Sequence, residues 1–128
     1  KFKIINMNNK LITPQLAETL IQYPLYSQER KKKDAICLAV FFIGKIRWYV
    51  LEGQPSEDDF ILFSIVLGLT APEYGYVSVN EMGSIEVETG VPEVGKVKIC
   101  QDKDFIPCPL KDIPDRELQD FLNYMYND

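Results

Sequence analysis

The sequence predicts a single α+β domain over residues 1–128: a mainly antiparallel sheet with a hairpin and meander core, covered by an N-terminal and a C-terminal helix. Three observations carry this. Two apolar segments, residues 36–43 and 46–52, flank the dipeptide Gly44-Lys45, as expected for a tight hairpin with glycine first in a type II′ turn. A third apolar segment, residues 60–67, comes after a short polar stretch, which makes a meander the simplest topology. Helix signals stand near both ends of a chain whose 128 residues suit one core.

Each element has a local reason. Thr13-Pro14 offers a hydroxyl cap followed by a proline suited to the first helical position, and Leu16, Leu20 and Ile21 share a face. The Tyr23-Pro24 step ends that helix, because the residue before proline is pushed out of helical geometry. Residues 25–34, with the charge run Glu29-Arg30-Lys31-Lys32-Lys33, read as an exposed loop. If Gly44 and Lys45 are the central turn residues, Phe41 faces Trp48, Val40 faces Tyr49 and Cys37 faces Glu52. The first of these strands is apolar on both faces, so it belongs inside a sheet covered on each side.

Residues 53–59 read as a polar loop and residues 68–75 as a connection. Residues 76–79 alternate like a half-exposed strand, with the alternative that Ser78 caps a short helix ending near Gly83. Residues 83–95 read as irregular. In residues 96–101, Val97 and Ile99 alternate with polar neighbours, and Pro107 and Pro109 confine residues 105–110 to a sheet edge or a loop. The last helix is the clearest: Leu118, Phe121, Leu122 and Met125 recur at helical spacing, after Pro114 and with Asp115 and Glu117 in the first turn, where the helix dipole favours acids. Residues 1–10 are charged and Asn-rich with no secretory signal pattern, and read as a tail or an additional strand.

Composition narrows the chemistry. The longest apolar stretches are less than half of what a bilayer-crossing helix needs. The chain has no histidine, so the commonest general base and the Ser-His and Cys-His pairs are missing. Cys37, Cys100 and Cys108 form no C-x-x-C pair, which argues against zinc and against a disulfide framework and fits a reducing, cytoplasmic compartment. Cys37, within an apolar strand pattern, reads as a small buried hydrophobe. The glycines sit singly at turns with no phosphate-cradling motif. The formal charge of −5 disfavours general attraction to phosphate backbones. No cofactor and no metal site are expected.

Three constellations remain. Glu52, Glu57, Asp58, Asp59 and Glu73 fall at strand ends or in loops that could converge on one rim, where paired acids could do acid and base work. The plainer reading makes Glu57, Asp58 and Asp59 a solvated loop, while Glu52 continues the otherwise apolar face of Ile46, Trp48 and Val50. Among the aromatics, Trp48 is expected in the core opposite Phe41, and Tyr74 and Tyr76, flanking Gly75, are expected at the surface, where tyrosines favour partner binding. Finally, Tyr23, Tyr26, Arg30, Lys31, Lys32 and Lys33 interleave aromatics with cations in a manner that suits single-stranded nucleic acid, against the plainer reading of solubilising charge.

The order of motifs resembles a small bacterial family of unknown function, encoded on plasmids, phages and conjugative elements. The stretches that carry the resemblance are Leu11-Ile12-Thr13 with Tyr23-Pro24-Leu25-Tyr26, Trp48-Tyr49-Val50-Leu51-Glu52, Gly75-Tyr76-Val77-Ser78 with Glu81-Met82, and Asp104-Phe105-Ile106-Pro107-Cys108-Pro109-Leu110. Arg47 stands where members carry an aromatic residue or threonine, Tyr74 where they carry leucine, and Gly90-Val91-Pro92 is a loose counterpart of their Gly-Leu-Pro. The resemblance implies a cytoplasmic protein of a mobile genetic element and transfers no catalytic residue. On these grounds the first expectation is a non-catalytic protein that binds a protein partner through Glu52, Glu57, Asp58, Asp59, Tyr74 and Tyr76, as a modulator or inhibitor of a host defence or transfer protein. The alternatives are a carboxylate enzyme, magnesium-assisted or not, and a single-stranded nucleic-acid binder.

Overall fold

The computed structural model describes residues 11–127. The expectation for residues 1–10 lies outside them. In chain order the elements are α1 (Pro14–Ile21), β1 (Ile36–Cys37), β2 (Ala39–Ile43), β3 (Ile46–Ser56), β4 (Asp59–Leu67), β5 (Glu73–Ser78), α2 (Val79–Ser84), β6 (Glu86–Glu88), β7 (Lys96–Lys98), β8 (Cys100–Gln101), β9 (Cys108–Pro109) and α3 (Arg116–Met125). Short 3-10 turns at Lys32–Asp34 and Leu110–Asp112 complete them.

Among the described residues the main sheet has five strands in the order β5-β4-β3-β2-β8, and every pairing in it is antiparallel. The fold is therefore α+β, with β2 to β5 as a four-strand meander. Gly44 has φ +57 while Lys45 stays at negative φ, matching a turn with glycine first. Phe41 faces Trp48 and Val40 faces Tyr49 as expected.

Because side chains alternate, the sheet carries two cores. On one face Phe41, Trp48, Val50, Leu62 and Val66 pack with Leu16 and Leu20 of α1 and Val79 and Met82 of α2. On the other, Val40, Tyr49, Leu51, Ile65 and Leu67 pack under Leu118, Phe121 and Leu122 of α3. Thr13 caps α1 by accepting from the Leu16 amide, and Asp115 caps α3 by accepting from the Glu117 and Leu118 amides. Ser78 ends β5 and also caps α2, so the strand and helix readings of this stretch both hold in succession. Residues 83–95, read as irregular, contribute β6, which pairs with β7 in a separate ribbon.

The structure corrects five expectations. Residues 36–43 are not one strand: Leu38 interrupts it, and Ile36 and Cys37 pair with Pro109 and Cys108 instead of continuing along β3. The polar loop expected over residues 53–59 is mostly strand, with β3 running to Ser56 and turning within Glu57-Asp58. Pro55 is tolerated there because β2 stops at the Ala39–Val50 pair, leaving that side of β3 without a ladder partner among the described residues. Ile21 is 65 % exposed rather than sharing the buried face. A β-bulge between Val50 and Glu52 resets the register, so that Glu52 opposes Phe63, and Cys37 does not face it. Finally, residues 25–34 are a strap rather than a free loop, since Gln28 is 4 % exposed and bonded to both β1 and β3.

Candidate functional site

The site begins at the bulge in β3. Two residues of the bulged strand oppose one on β4, so that Glu52 joins Leu51 on the face of Tyr49 and Phe63. Glu52 is thus removed from the Ile46, Trp48 and Val50 face on which strict alternation places it, and it ends 2 % exposed. A buried carboxylate needs partners. Glu52 finds them in the strap: one oxygen accepts from the Tyr26 amide at 2.7 Å and the other from the Gln28 amide at 2.8 Å. Gln28 then donates to the carbonyls of Leu51 and Ile36 and accepts from the Ile36 amide. These bonds, with the Gly53 amide donating to the Tyr23 carbonyl, lead the strap past the free side of β3, from the α1 face to the α3 face.

Where the strap arrives, it closes an open cavity of about 330 Å³. Its walls are Tyr26, Glu29 and Lys32 from the strap, Leu51, Glu52 and Phe63 from the sheet, Tyr74 and Tyr76 from β5, and Met125 and Tyr126 from the end of α3. Tyr74 and Tyr76 share one face of β5, and both rings lie against Phe63, at centroid distances of 5.4 and 4.9 Å. Tyr74, expected at the surface, is instead half-buried against the α3-side core: its hydroxyl meets that of Tyr126 at 2.6 Å, and burial with this hydrogen bond pushes its ionisation up. Tyr26 and Tyr76 stand at the mouth, 65 % and 53 % exposed. Partial burial, the hydrogen bond with the Tyr26 hydroxyl and the nearby carboxylates of Glu52 and Glu29 raise the pKa of Tyr76. Tyr26 and Lys32 are both held at positive φ, +76 and +52, a costly conformation for residues of their size.

The residues expected to act together are thus redistributed. Glu52, Tyr74 and Tyr76 from the partner-binding set join Tyr26 and Lys32 from the nucleic-acid set in one cavity. Glu57 and Asp58 form the β3–β4 turn, away from it. Asp59 is committed to structure: it accepts from the Ser78 hydroxyl and from the Asn80 and Phe60 amides, which outweigh the opposing effect of burial and hold its carboxyl below the usual range. The rim of converging acids is therefore not assembled. Tyr23 packs against the α1-side core, Lys33 donates to Asn123, and Arg30 and Lys31 are exposed and do not line the cavity, so the basic run does not act as one patch. Among the described residues no group of three or more Cys, Asp or Glu is placed to hold a metal ion, and no helix is long and apolar enough to cross a membrane.

Sequence reasoning missed Phe63, Met125, Tyr126, Gln28 and Glu29. Phe63 hides in a wholly apolar segment, and only the β4–β5 register shows that it faces Tyr76. Tyr126 carried a signal, since it lies four residues beyond Leu122 on the buried side of α3.

Comparison with known families matches residues 11–107 to a family described as protein of unknown function, DUF2958. The chain belongs to the DUF2958 family. The match takes in the strap, the bulge and β5, and so every cavity wall except the one built by α3, whose Met125 and Tyr126 lie beyond the matched segment of this DUF2958 protein. No curated protein and no solved structure matches the chain.

Proposed function

We propose that this DUF2958 protein is a non-catalytic binding protein that takes a cationic side chain of a basic protein partner into the tyrosine cavity. One observation carries the reading: Tyr26, Tyr74, Tyr76, Tyr126 and Phe63 gather around a cavity that also holds Glu29 and the buried Glu52. Aromatic faces attract cations, and more so where water is excluded. Tyrosine is also among the residue types enriched at the hot spots of protein interfaces, and a hydroxyl at the mouth keeps such a surface wettable when empty. Two acids against the single Lys32 favour a guanidinium or ammonium group over an anion, and the net charge of −5 steers a basic partner toward the molecule. The family resemblance adds the setting: a cytoplasmic accessory protein of a mobile genetic element that modulates or inhibits a host defence or transfer protein.

Glu52 serves this reading as a positioning residue. Both its oxygens are engaged by backbone amides, and Asp58 is not beside it, so the paired acids that carboxylate catalysis requires are not supported. The test is capture of partners from bacterial lysate, with identification by mass, by the wild type and by Tyr26→Ala/Tyr76→Ala. Saturable capture of a basic protein that the double variant loses, and that Glu57→Gln/Asp58→Asn retains, supports the reading. Capture of nucleic acid instead, or no saturable protein at low or moderate salt, overturns it.

A further inference from the structure

We infer that the partner segment binds extended, as an additional strand along the free edge of β5, with an arginine or lysine entering the tyrosine cavity. This rests on the cationic side-chain reading above and adds the backbone mode.

Among the described residues the sheet ends at β5. Its only ladder partner among the described residues is β4, so on every second residue the backbone N–H and C=O point away from the sheet with no strand beyond them. Such an edge is a ready template for another chain. β5 is six residues long and, apart from the charge of Glu73 at its start, is little protected: it contains no lysine and no proline, and among the described residues it shows no bulge in its pairing with β4. Gly75 lies at its centre, and the space into which a Cβ would project, on the face opposite the two tyrosines, is open.

Geometry then links edge and cavity. A strand added beside β5 would lie about 4.8 Å away, and its side chains on the Tyr74 and Tyr76 face would sit directly opposite these rings, with Cβ atoms about 5 Å apart. Alternate residues of the incoming strand therefore lie beside Tyr74 and Tyr76, the β5 wall of the cavity, and a long cationic side chain there follows the Tyr76 ring toward the mouth. Glu73, exposed at the start of β5, extends the same charge preference along the edge.

The probe is a capped peptide of alternating arginine and valine, about six residues long to match β5, titrated against the full chain while the amide NMR signals of β5 are monitored. Capped single arginine, the citrulline version of the peptide, two versions N-methylated on one or the other alternate set of backbone amides, and an oligothymidine are the comparisons. We expect the peptide to shift β5 amides, citrulline to weaken binding about tenfold or more, and one N-methylated set, but not the other, to weaken it by a similar factor. If neither the peptide nor capped arginine binds, or citrulline binds equally well, the cavity reading fails and strand addition with it. If binding needs arginine but tolerates both methylation patterns, or capped arginine binds as well as the peptide, the cavity reading stands and strand addition is overturned. Oligothymidine that binds tighter than the peptide, through Tyr26 and Tyr76, overturns both in favour of base stacking.

Discussion

At the scale of single residues, two carboxylates hold the molecule in shape, and each makes a different prediction. Asp115 caps α3 with one oxygen, while the other accepts from Arg47 at 2.8 Å and from the Tyr49 hydroxyl, tying the helix to the sheet. Burial alone would raise its pKa, but the Tyr49 and Arg47 hydrogen bonds and the Leu118 amide bring it below the usual carboxylate value. A depressed folded pKa gives stability that is complete above the unfolded value of about 3.9 and is lost as pH falls through the folded one. Asp115→Ala should therefore lower stability by about 1–3 kcal/mol at neutral pH, from the lost cap and hydrogen bonds. The gap from the wild type should close in acid. Urea denaturation across pH checks this, and a gap that persists unchanged into strong acid would show that the ionised carboxylate is not responsible. Glu52→Gln keeps the shape but turns an amide NH2 toward one of two backbone donors. It should cost about 1–3 kcal/mol and speed hydrogen exchange at Tyr26 and Gln28, with protection unchanged in the remote β6–β7 ribbon as the internal control.

At the scale of elements, the meander and terminal helices were legible because local chemistry and periodicity agree there. Gly44-Lys45 sets the hairpin register, Thr13-Pro14 starts α1, and the apolar spacing of α3 is unambiguous. The bulge was not legible, because alternation assumes two residues per repeat and nothing about Val50, Leu51 or Glu52 announces an extra one. That single insertion changed the face of Glu52, and with it the composition of the site. The strap was missed for a related reason: its charges read as solvated, whereas its anchor is the uncharged Gln28. A second glycine position shows how tightly the elements are joined. Gly68, just after β4, has φ +93, and a Cβ there would collide with the Lys45 carbonyl oxygen of the β2–β3 turn. Gly68→Ala should therefore destabilise by more than the roughly 1 kcal/mol that left-handed geometry alone costs an alanine. Gly75→Ala, in open space at ordinary φ, should cost less. Thermal unfolding of the two variants separates them, and equal losses would mean that the close approach at Gly68 relaxes freely.

At the scale of the whole molecule, two cores share one sheet, and the cavity depends on both. Phe41 and Val40 are neighbours on β2, yet the first is packed in the α1-side core and the second in the α3-side core. A local loosening of either side must move the same strands, so the cores should not melt separately. The chain carries its own probes: Trp48, its one tryptophan, lies in the α1-side core, while Tyr49, Tyr74 and Tyr126 lie in or against the α3-side core. Leu20→Ala and Leu122→Ala each remove a fully buried side chain, one from each core, and should each cost about 2–5 kcal/mol. In both variants tryptophan fluorescence, tyrosine near-ultraviolet dichroism and far-ultraviolet dichroism should give one coincident transition. Tyr26 and Tyr76 should lose the cavity at that same midpoint, because the strap that carries Tyr26 is bonded to the central strand. If Leu122→Ala shifts the tyrosine signal while leaving the tryptophan transition in place, α3 is an independently melting cover. The cavity would then be a feature that the α3 side can lose while the α1-side core stays folded.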